Sequence, residues 1–356
     1  MILKRISLLL LPGLIWARGL IAVVQPELTQ DAYRSQIVFQ KVLEPYFEQI
    51  QVRRGDPKAP CLVVLPEYLG AWLVAVGAPE GVFEAQDINQ AMVRTILHYP
   101  FKFLYALIRD YLGPFHGPFM GHVQRAIFQF RADLMAEAYW KTFHDLARKY
   151  RCWIVAGSII LPEARVRSGR IELLNHNTLY NQSFLFSPVG AVVNVTAKVY
   201  PIATELPFLD AGKIENLQVA TTELGRVGIM VCADSWHPDV YEALAKRKVD
   251  IVAVPSFVTP ADAWDALWKG YSPPSNTPPD VDLNDVKSMS FPEAWEKYAV
   301  CGRVKRIPAQ VGVNSFLLGK FWDLTGAGQS TVTAHKRLIE KSPYSRKRDI
   351  LYYYMP

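Results

Sequence analysis

The chain has 356 residues, 50% of them hydrophobic, and a formal charge of +6. That length accommodates one large α/β domain or two ordinary ones, with a core that needs no covalent staple. Its four cysteines form no CxxC pair and its seven histidines show no ligand spacing, which speaks against a disulfide framework or a zinc site and for a reducing, cytoplasmic compartment.

Residues 1–19 open with Lys4-Arg5 and an apolar run from Ile6 to Ala17, interrupted by Pro12-Gly13. The run falls short of the roughly 20 residues a membrane-spanning helix needs. It is expected to be an interfacial anchor or a packed extension, ahead of an uncleaved membrane anchor or a cleaved signal, since no small-x-small cleavage site follows. Leu20 to Pro26 reads as a first buried strand, and residues 31–52 carry apolar positions at helical spacing (Val38, Val42, Leu43, Phe47, Ile50). Cys61 to Leu65 is a second buried strand that stops at Pro66-Glu67-Tyr68. Alternating strand and helix predicts a parallel or mixed sheet covered by helices, with function at strand ends. Glu67 sits at such an end, where burial would raise its pKa and suit it to proton transfer; a helix cap or a surface acid is the other reading.

Residues 85–121 form an insertion richer in aromatics than a linker. Within 96–112, Tyr99, Phe101, Phe103, Tyr105 and Tyr111 accompany Lys102 and Arg109, so the segment reads as a lid, a subunit contact or a peripheral membrane contact. A helix is expected over 125–150, a strand over 153–160, a hairpin-like excursion over 164–175, and a hairpin joining Thr178–Phe186 to Ala191–Val195 through Ser187-Pro188-Val189-Gly190. That hairpin delivers Lys198, which by itself is equally a solvated strand-end lysine.

The stretch from Gly228 to Asp239 ends an apolar run in a thiol, Cys232, followed by small and polar residues and then by a helical pattern from Tyr241 to Lys246. A cysteine at a strand-to-helix corner has helical N–H groups aimed at it, which predicts a lowered thiol pKa and donors for an oxyanion. A buried structural cysteine is the plainer alternative. Val249 to Ser256 is a further strand. Residues 259–290, Pro- and Asp-rich with Trp264 and Trp268, read as a surface insertion, Glu293–Arg306 as a helix, and Gln310–Leu318 and Gln329–Ala334 as closing strands. The tail from 341 to 356, with Arg346-Lys347-Arg348 and Tyr352 to Tyr354, reads as a solvated terminus, and no nucleic-acid motif accompanies it.

Leu65-Pro66-Glu67, then Tyr180-Asn181 with Ser187-Pro188-Val189-Gly190 and Lys198, then Gly228–Asp239 with Cys232, Asp234 and Pro238, occur in an order that resembles the nitrilase superfamily of carbon-nitrogen hydrolases, in its amidase-like branch. Pro255-Ser256, Asn314 and Gly328-Gln329-Ser330 resemble its later landmarks. The resemblance implies an α/β fold, a four-layer α-β-β-α sandwich, over residues 20–340. It implies Glu67 as general base, Cys232 as nucleophile forming a thioester, and Lys198 with the Ala233 N–H as oxyanion stabilisers. Glu205 is the matching supporting carboxylate, and Tyr68, Ser235, Trp236 and Phe257 are candidate pocket residues. Trp-Glu after the cysteine marks nitrile-directed members and aromatic-Asp marks amide- or carbamoyl-directed ones. Ala233-Asp234 leans to the latter. The implied partner is a small-molecule amide or nitrile, with no metal or organic cofactor, and the implied assembly is a homodimer or larger homo-oligomer. An acyltransferase using the same thioester, a silent scaffold or membrane-associated binding protein of the same fold, and a Cys232–His237 dyad are the rival readings.

Overall fold

A computed structural model describes residues 19–356; the expected N-terminal extension, save Gly19, lies outside the described residues. Two six-stranded sheets dominate. In the first, β1 (Gly19–Gln25), β3 (Cys61–Leu65) and β4 (Trp153–Arg167) run parallel, and β5 (Arg170–Phe186) and β6 (Val192–Ala197) continue antiparallel. In the second, β8 (Gly225–Ile229), β9 (Ile251–Ser256) and β10 (Val311–Phe316) are parallel, flanked by antiparallel β7 (Val219–Thr222) on one side and β13 (Thr331–Ala334) and β14 (Arg337–Lys341) on the other. A small sheet of β2 (Glu27–Thr29), β11 (Leu318–Phe321) and β12 (Leu324–Gly326) lies beside them.

The central strands are apolar on both faces because both faces are covered. One set of alternate residues, including Ile21, Val23, Leu62, Val64, Ile229, Ile251 and Val313, meets between the sheets in a single buried cluster. The other set on the first sheet, Ala22, Val24, Val63 and Leu65, packs beneath α1 (Gln36–Arg54) and α5 (Phe119–Tyr150) through Phe39, Leu43, Phe47, Tyr139 and Phe143. On the second sheet, Val252 and Val254 pack beneath α6 (Pro238–Lys246) and α8 (Val300–Arg303). Helix, sheet, sheet and helix are the four expected layers. Burying each of these large aliphatic side chains contributes roughly 1.5–3 kcal/mol.

The segment after β3 carries α2 (Glu80–Phe83), α3 (Ile88–His98) and α4 (Pro100–Tyr111). Asp87 caps α3 by accepting from the Gln90 N–H at 2.8 Å, and Pro100 opens α4. The expected helix over 293–306 is two pieces, α7 (Phe291–Tyr298) and α8, because Ala299 between them leaves the helical region at φ −106° and ψ −145°.

Two sequence expectations are corrected. The C-terminal tail is not a solvated terminus: β15 (Asp349–Met355) pairs antiparallel with all of β1, from Gly19↔Met355 to Gln25↔Asp349, and buries Leu351 and Met355. It covers the edge that β1 would otherwise expose. The segment 259–290 is irregular in backbone but not superficial. Trp264 and Trp268 are buried with Trp236, Trp295 and Phe316 in an aromatic cluster that supplies the apolar contacts its backbone cannot.

Candidate active site

Glu67, Lys198 and Cys232 converge. Each follows the end of a strand, β3, β6 and β8 respectively, and all three line one cavity of about 840 Å³.

Glu67 is aimed by a clamp on the neighbouring strand. At Gly157, φ is +72° and an added Cβ would stand 2.2 Å from the Pro66 carbonyl oxygen, so only glycine allows β4 to come this close. Ser158 then ties the turn down. Its Oγ accepts from the Tyr68 N–H at 2.9 Å, its carbonyl accepts from the Gly70 N–H at 2.8 Å, and its own N–H donates to the Pro66 carbonyl at 3.3 Å. Cys232 is held by a second turn. Asp234 Oδ2 accepts from the Val231 N–H at 3.0 Å while the Asp234 N–H donates to the Val231 carbonyl at 3.1 Å. Cys232 itself takes a left-handed φ of +48°, as Tyr68 does at +61°. Two non-glycine residues in this region beside one cavity mark stored backbone strain of the kind functional sites hold.

The same Asp234 carries Lys198 to the thiol. Its Oδ1 accepts from the N–H groups of Val199 at 2.9 Å and Tyr200 at 2.8 Å, fixing the chain just past the lysine against the cysteine turn. Lys198 is fully buried, and its Nζ lies 2.8 Å from Glu67 Oε1 and 2.7 Å from Glu205 Oε2. Glu205 also accepts from the Ile202 N–H at 2.8 Å and from the Tyr68 hydroxyl. Asn181 Nδ2 donates to Glu67 Oε1 at 2.9 Å and to Glu205 Oε1 at 3.4 Å, so it bridges the two carboxylates.

Burial raises the Glu67 carboxyl, and Glu205 raises it further against the pull of Lys198. For Lys198, burial alone would lower the ammonium, but Glu205 and Glu67 outweigh it and hold the group well above its ordinary value. The expected lowering of the Cys232 thiol is overturned. Burial and then the Glu67 charge push it well above a free cysteine, more than Lys198 draws it down. The helical turn after Cys232 is a short 3-10 turn over Cys232–Trp236, and α6 begins only at Pro238, so no long helix points its dipole at the sulfur. A thiol raised in this way stands beside a buried carboxylate.

Glu205, Tyr68, Ala233, Trp236 and Phe257 also line the cavity. Ser235 does not. It is fully buried behind the turn, where its Oγ donates to the Cys232 carbonyl at 2.7 Å, so it braces the Cys232 backbone and does not face the cavity. Asp234, read in the sequence as a substrate-class marker, is likewise buried and tethers backbone amides. His237 reaches the cavity wall but stacks on Tyr200 at 3.5 Å between ring centroids, and burial lowers it to about 4, which leaves it neutral at ordinary pH. Asn181, which the sequence places in the second motif without a role, is a further residue of the site, and it opens a buried polar run, Asn181-Gln182-Ser183, near the end of β5.

The rest of the cavity is apolar. Trp72, Met92, Ile127 and Phe128 contribute to its wall, which brings α3 of the aromatic insertion and α5 to the substrate side.

Residues 20–272 match the family model for carbon-nitrogen hydrolases. The chain is 27% identical over 132 residues to the Schizosaccharomyces pombe protein named "Probable nitrilase C965.09", covering 36% of this chain and 44% of that one. It is 25% identical over 134 residues to the deaminated glutathione amidase of Yersinia enterocolitica, covering 35% of this chain and 43% of that one. These matches therefore span under half the length of the two curated relatives. In fold it is similar to an amidase from Nesterenkonia sp. AN1, solved as a mutant after Michael addition of acrylamide at its active-site cysteine, with a TM-score of 0.55, 12% identity, and 95% of this chain and 93% of that one covered. With the family model spanning most of its length and the four-layer fold in place, the chain belongs to the carbon-nitrogen hydrolase family.

Proposed function

We propose that the protein hydrolyses a non-peptide C–N bond of the amide type through a thioester on Cys232. Glu67 takes the thiol proton as Sγ attacks the carbonyl carbon, and Lys198 with the Ala233 N–H stabilises the oxyanion. The tetrahedral intermediate collapses, the C–N bond breaks, and Glu67 returns the proton to the departing ammonia or amine. Water then attacks the thioester, Glu67 accepts its proton, and collapse releases the acid while the proton returns to sulfur. The observation that carries this reading is the convergence of a buried carboxylate, ammonium and thiol on one cavity, with Glu67 raised toward the range of a working base.

Amide is preferred to nitrile on Asp234, two residues after the cysteine, although that side chain acts on backbone and not on substrate. The cavity's volume of about 840 Å³ and its apolar wall suit a substrate with a sizeable apolar body. The same room favours one second reading, in which an amine replaces water as acceptor and the enzyme is an acyltransferase.

The test is incubation with a panel of amides and nitriles, ammonia detection, and intact-mass analysis. Turnover with a transient acyl adduct that maps to Cys232 and is lost in Cys232→Ala is the expected result. Turnover that survives Cys232→Ala and Glu67→Gln but not His237→Ala would overturn the assignment.

A further inference from the structure

The helix α4 is folded the wrong way round for a water-soluble surface. Its inward side carries Asp110, only 1% exposed, whose Oδ1 accepts from Arg125 Nε at 2.8 Å and Gln129 Nε2 at 2.7 Å and whose Oδ2 lies 2.7 Å from His122 Nδ1. Arg125 continues inward to Asp210 at 2.9 Å. Its outward side carries Phe101, Leu104, Tyr105, Ile108 and Tyr111, all exposed, with Phe101 86% exposed. These positions recur at helical spacing and form one apolar stripe. Leu97 at the end of α3 and Phe119 and Met120 at the start of α5, the elements that flank α4 in the chain, are exposed as well. A contiguous exposed apolar face of this kind marks an interaction site.

The charges say what covers it. Between residues 88 and 121 the sole carboxylate is Asp110, which is buried and paired, whereas Lys102 is exposed and Arg94 and Arg109 are half-buried. The formal charge that the segment offers to a partner is therefore positive. An isologous contact with a second copy would set Lys102 and the flanking arginines against their own kind, with no acid from the segment to neutralise them. Aromatic and aliphatic side chains interleaved with cations are instead the composition of a helix lying in the headgroup region of an anionic bilayer.

We propose that α3 and α4 dock the protein on an anionic lipid surface, with the apolar stripe of α4 entering the interface. The contact is peripheral, since no helix among the described residues is long and apolar enough to cross a membrane. It also bears on the site. α3 presents Ala91, Met92 and Thr95 to the cavity and Val93 and Leu97 to solvent, so the docked helix is itself part of the cavity wall. A bilayer there would bring amphipathic molecules to an apolar pocket.

The experiment is co-sedimentation of the full chain with phosphatidylcholine vesicles, with and without phosphatidylglycerol, alongside the Phe101→Glu/Ile108→Glu and Lys102→Glu variants, with thermal unfolding as the fold control. A Leu104→Cys variant carrying a polarity-sensitive fluorophore reports insertion without adding charge. The expected result is pelleting with anionic vesicles that weakens with salt, a blue shift of the fluorophore, and a loss of roughly tenfold or more in affinity for the double variant at unchanged melting temperature. Wild-type protein that stays in the supernatant overturns the proposal. So does pelleting that the double variant retains, which would place binding elsewhere, including residues 1–18. A wild-type dimer that Phe101→Glu/Ile108→Glu splits, with no vesicle binding, would assign the face to self-association instead.

Discussion

Asp234 offers the sharpest test of how the site is assembled, because it touches no substrate and yet joins two of the three strand ends. It is fully buried, and its carboxylate accepts from the amides of Val199, Tyr200 and Val231 at 2.9, 2.8 and 3.0 Å. Asp234→Ala leaves three donors without their acceptor, the Val231 N–H buried and those of Val199 and Tyr200 half-buried, and each fully buried orphan costs about 1–3 kcal/mol. Burial pushes the carboxyl up to about 7, so the wild type already carries a desolvation cost that the alanine variant escapes. The lower end of the sum applies, about 3 kcal/mol, out of a typical total of about 5–15 kcal/mol. Asp234→Asn keeps one acceptor oxygen for Val199 and Tyr200 but turns an amino group toward the Val231 N–H, so about 1–2 kcal/mol is expected. Urea unfolding read at constant slope measures both. Turnover of a soluble amide should fall further than stability does, since Lys198 immediately precedes the two amides that lose their anchor, and small misplacements of a reacting group are expensive. An alanine variant within about 0.5 kcal/mol of wild type, or an asparagine variant as damaged as the alanine one, would refute the tether.

Glu205 raises Glu67 by its charge, so Glu205→Gln removes a reason for Glu67 to hold its proton. The acid limb of the kcat/KM profile, where Glu67 must be ionised, should move to lower pH. A limb that stays in place or moves up contradicts the electrostatic coupling. His237 gives a stability prediction of definite sign. Its folded-state pKa is depressed to about 4 from 6.5, so between those values the unfolded chain takes up a proton that the native one refuses. Stability is then lost as pH falls through that window, by about 3 kcal/mol in all, and His237→Phe, which keeps the stack on Tyr200, should flatten the dependence. A wild-type unfolding midpoint that is unchanged from pH 7 to pH 4 after allowance for other groups would count against it.

The three converging residues were legible in the sequence through motifs that resemble the carbon-nitrogen hydrolases; apolar runs placed Glu67 and Cys232 at strand ends, whereas Lys198 by itself read equally as a solvated strand-end lysine. Glu67 after Cys61–Leu65 and Cys232 after Gly228–Val231 needed no partner to be placed at a sheet's rim. What was not legible depends on neighbours remote in the chain. The tail from Asp349 to Met355 is basic and aromatic by composition, and it becomes a strand only because β1 has a free edge at the other end of the polypeptide. Trp264 and Trp268 lie in an irregular segment whose burial is decided by Trp236 and Trp295, not by local pattern. Ser235 was misplaced for a related reason: in a 3-10 turn the residue three after the cysteine folds back onto the cysteine's own carbonyl, whereas an extended or α-helical exit would have turned it differently.

The thiol's electrostatics carry the same lesson into mechanism. Local reasoning put helical amides at Cys232 and a lowered pKa, but the dominant influences are burial and a carboxylate from the opposite sheet. The buried cluster of Glu67, Glu205 and Lys198 holds two acids against one ammonium, so adding a thiolate would leave a further unpaired negative charge in a dry cavity. In the proposed chemistry the sulfur therefore stays protonated until an electrophilic carbon is in place, and charge moves through sulfur onto an oxygen that Lys198 can meet. A preformed thiolate would be a stronger resting nucleophile and a poorer neighbour for Glu67. In that proposed chemistry, nucleophile activation is tied to substrate arrival, and Glu67, not the helix terminus, is the group that the cysteine cannot do without.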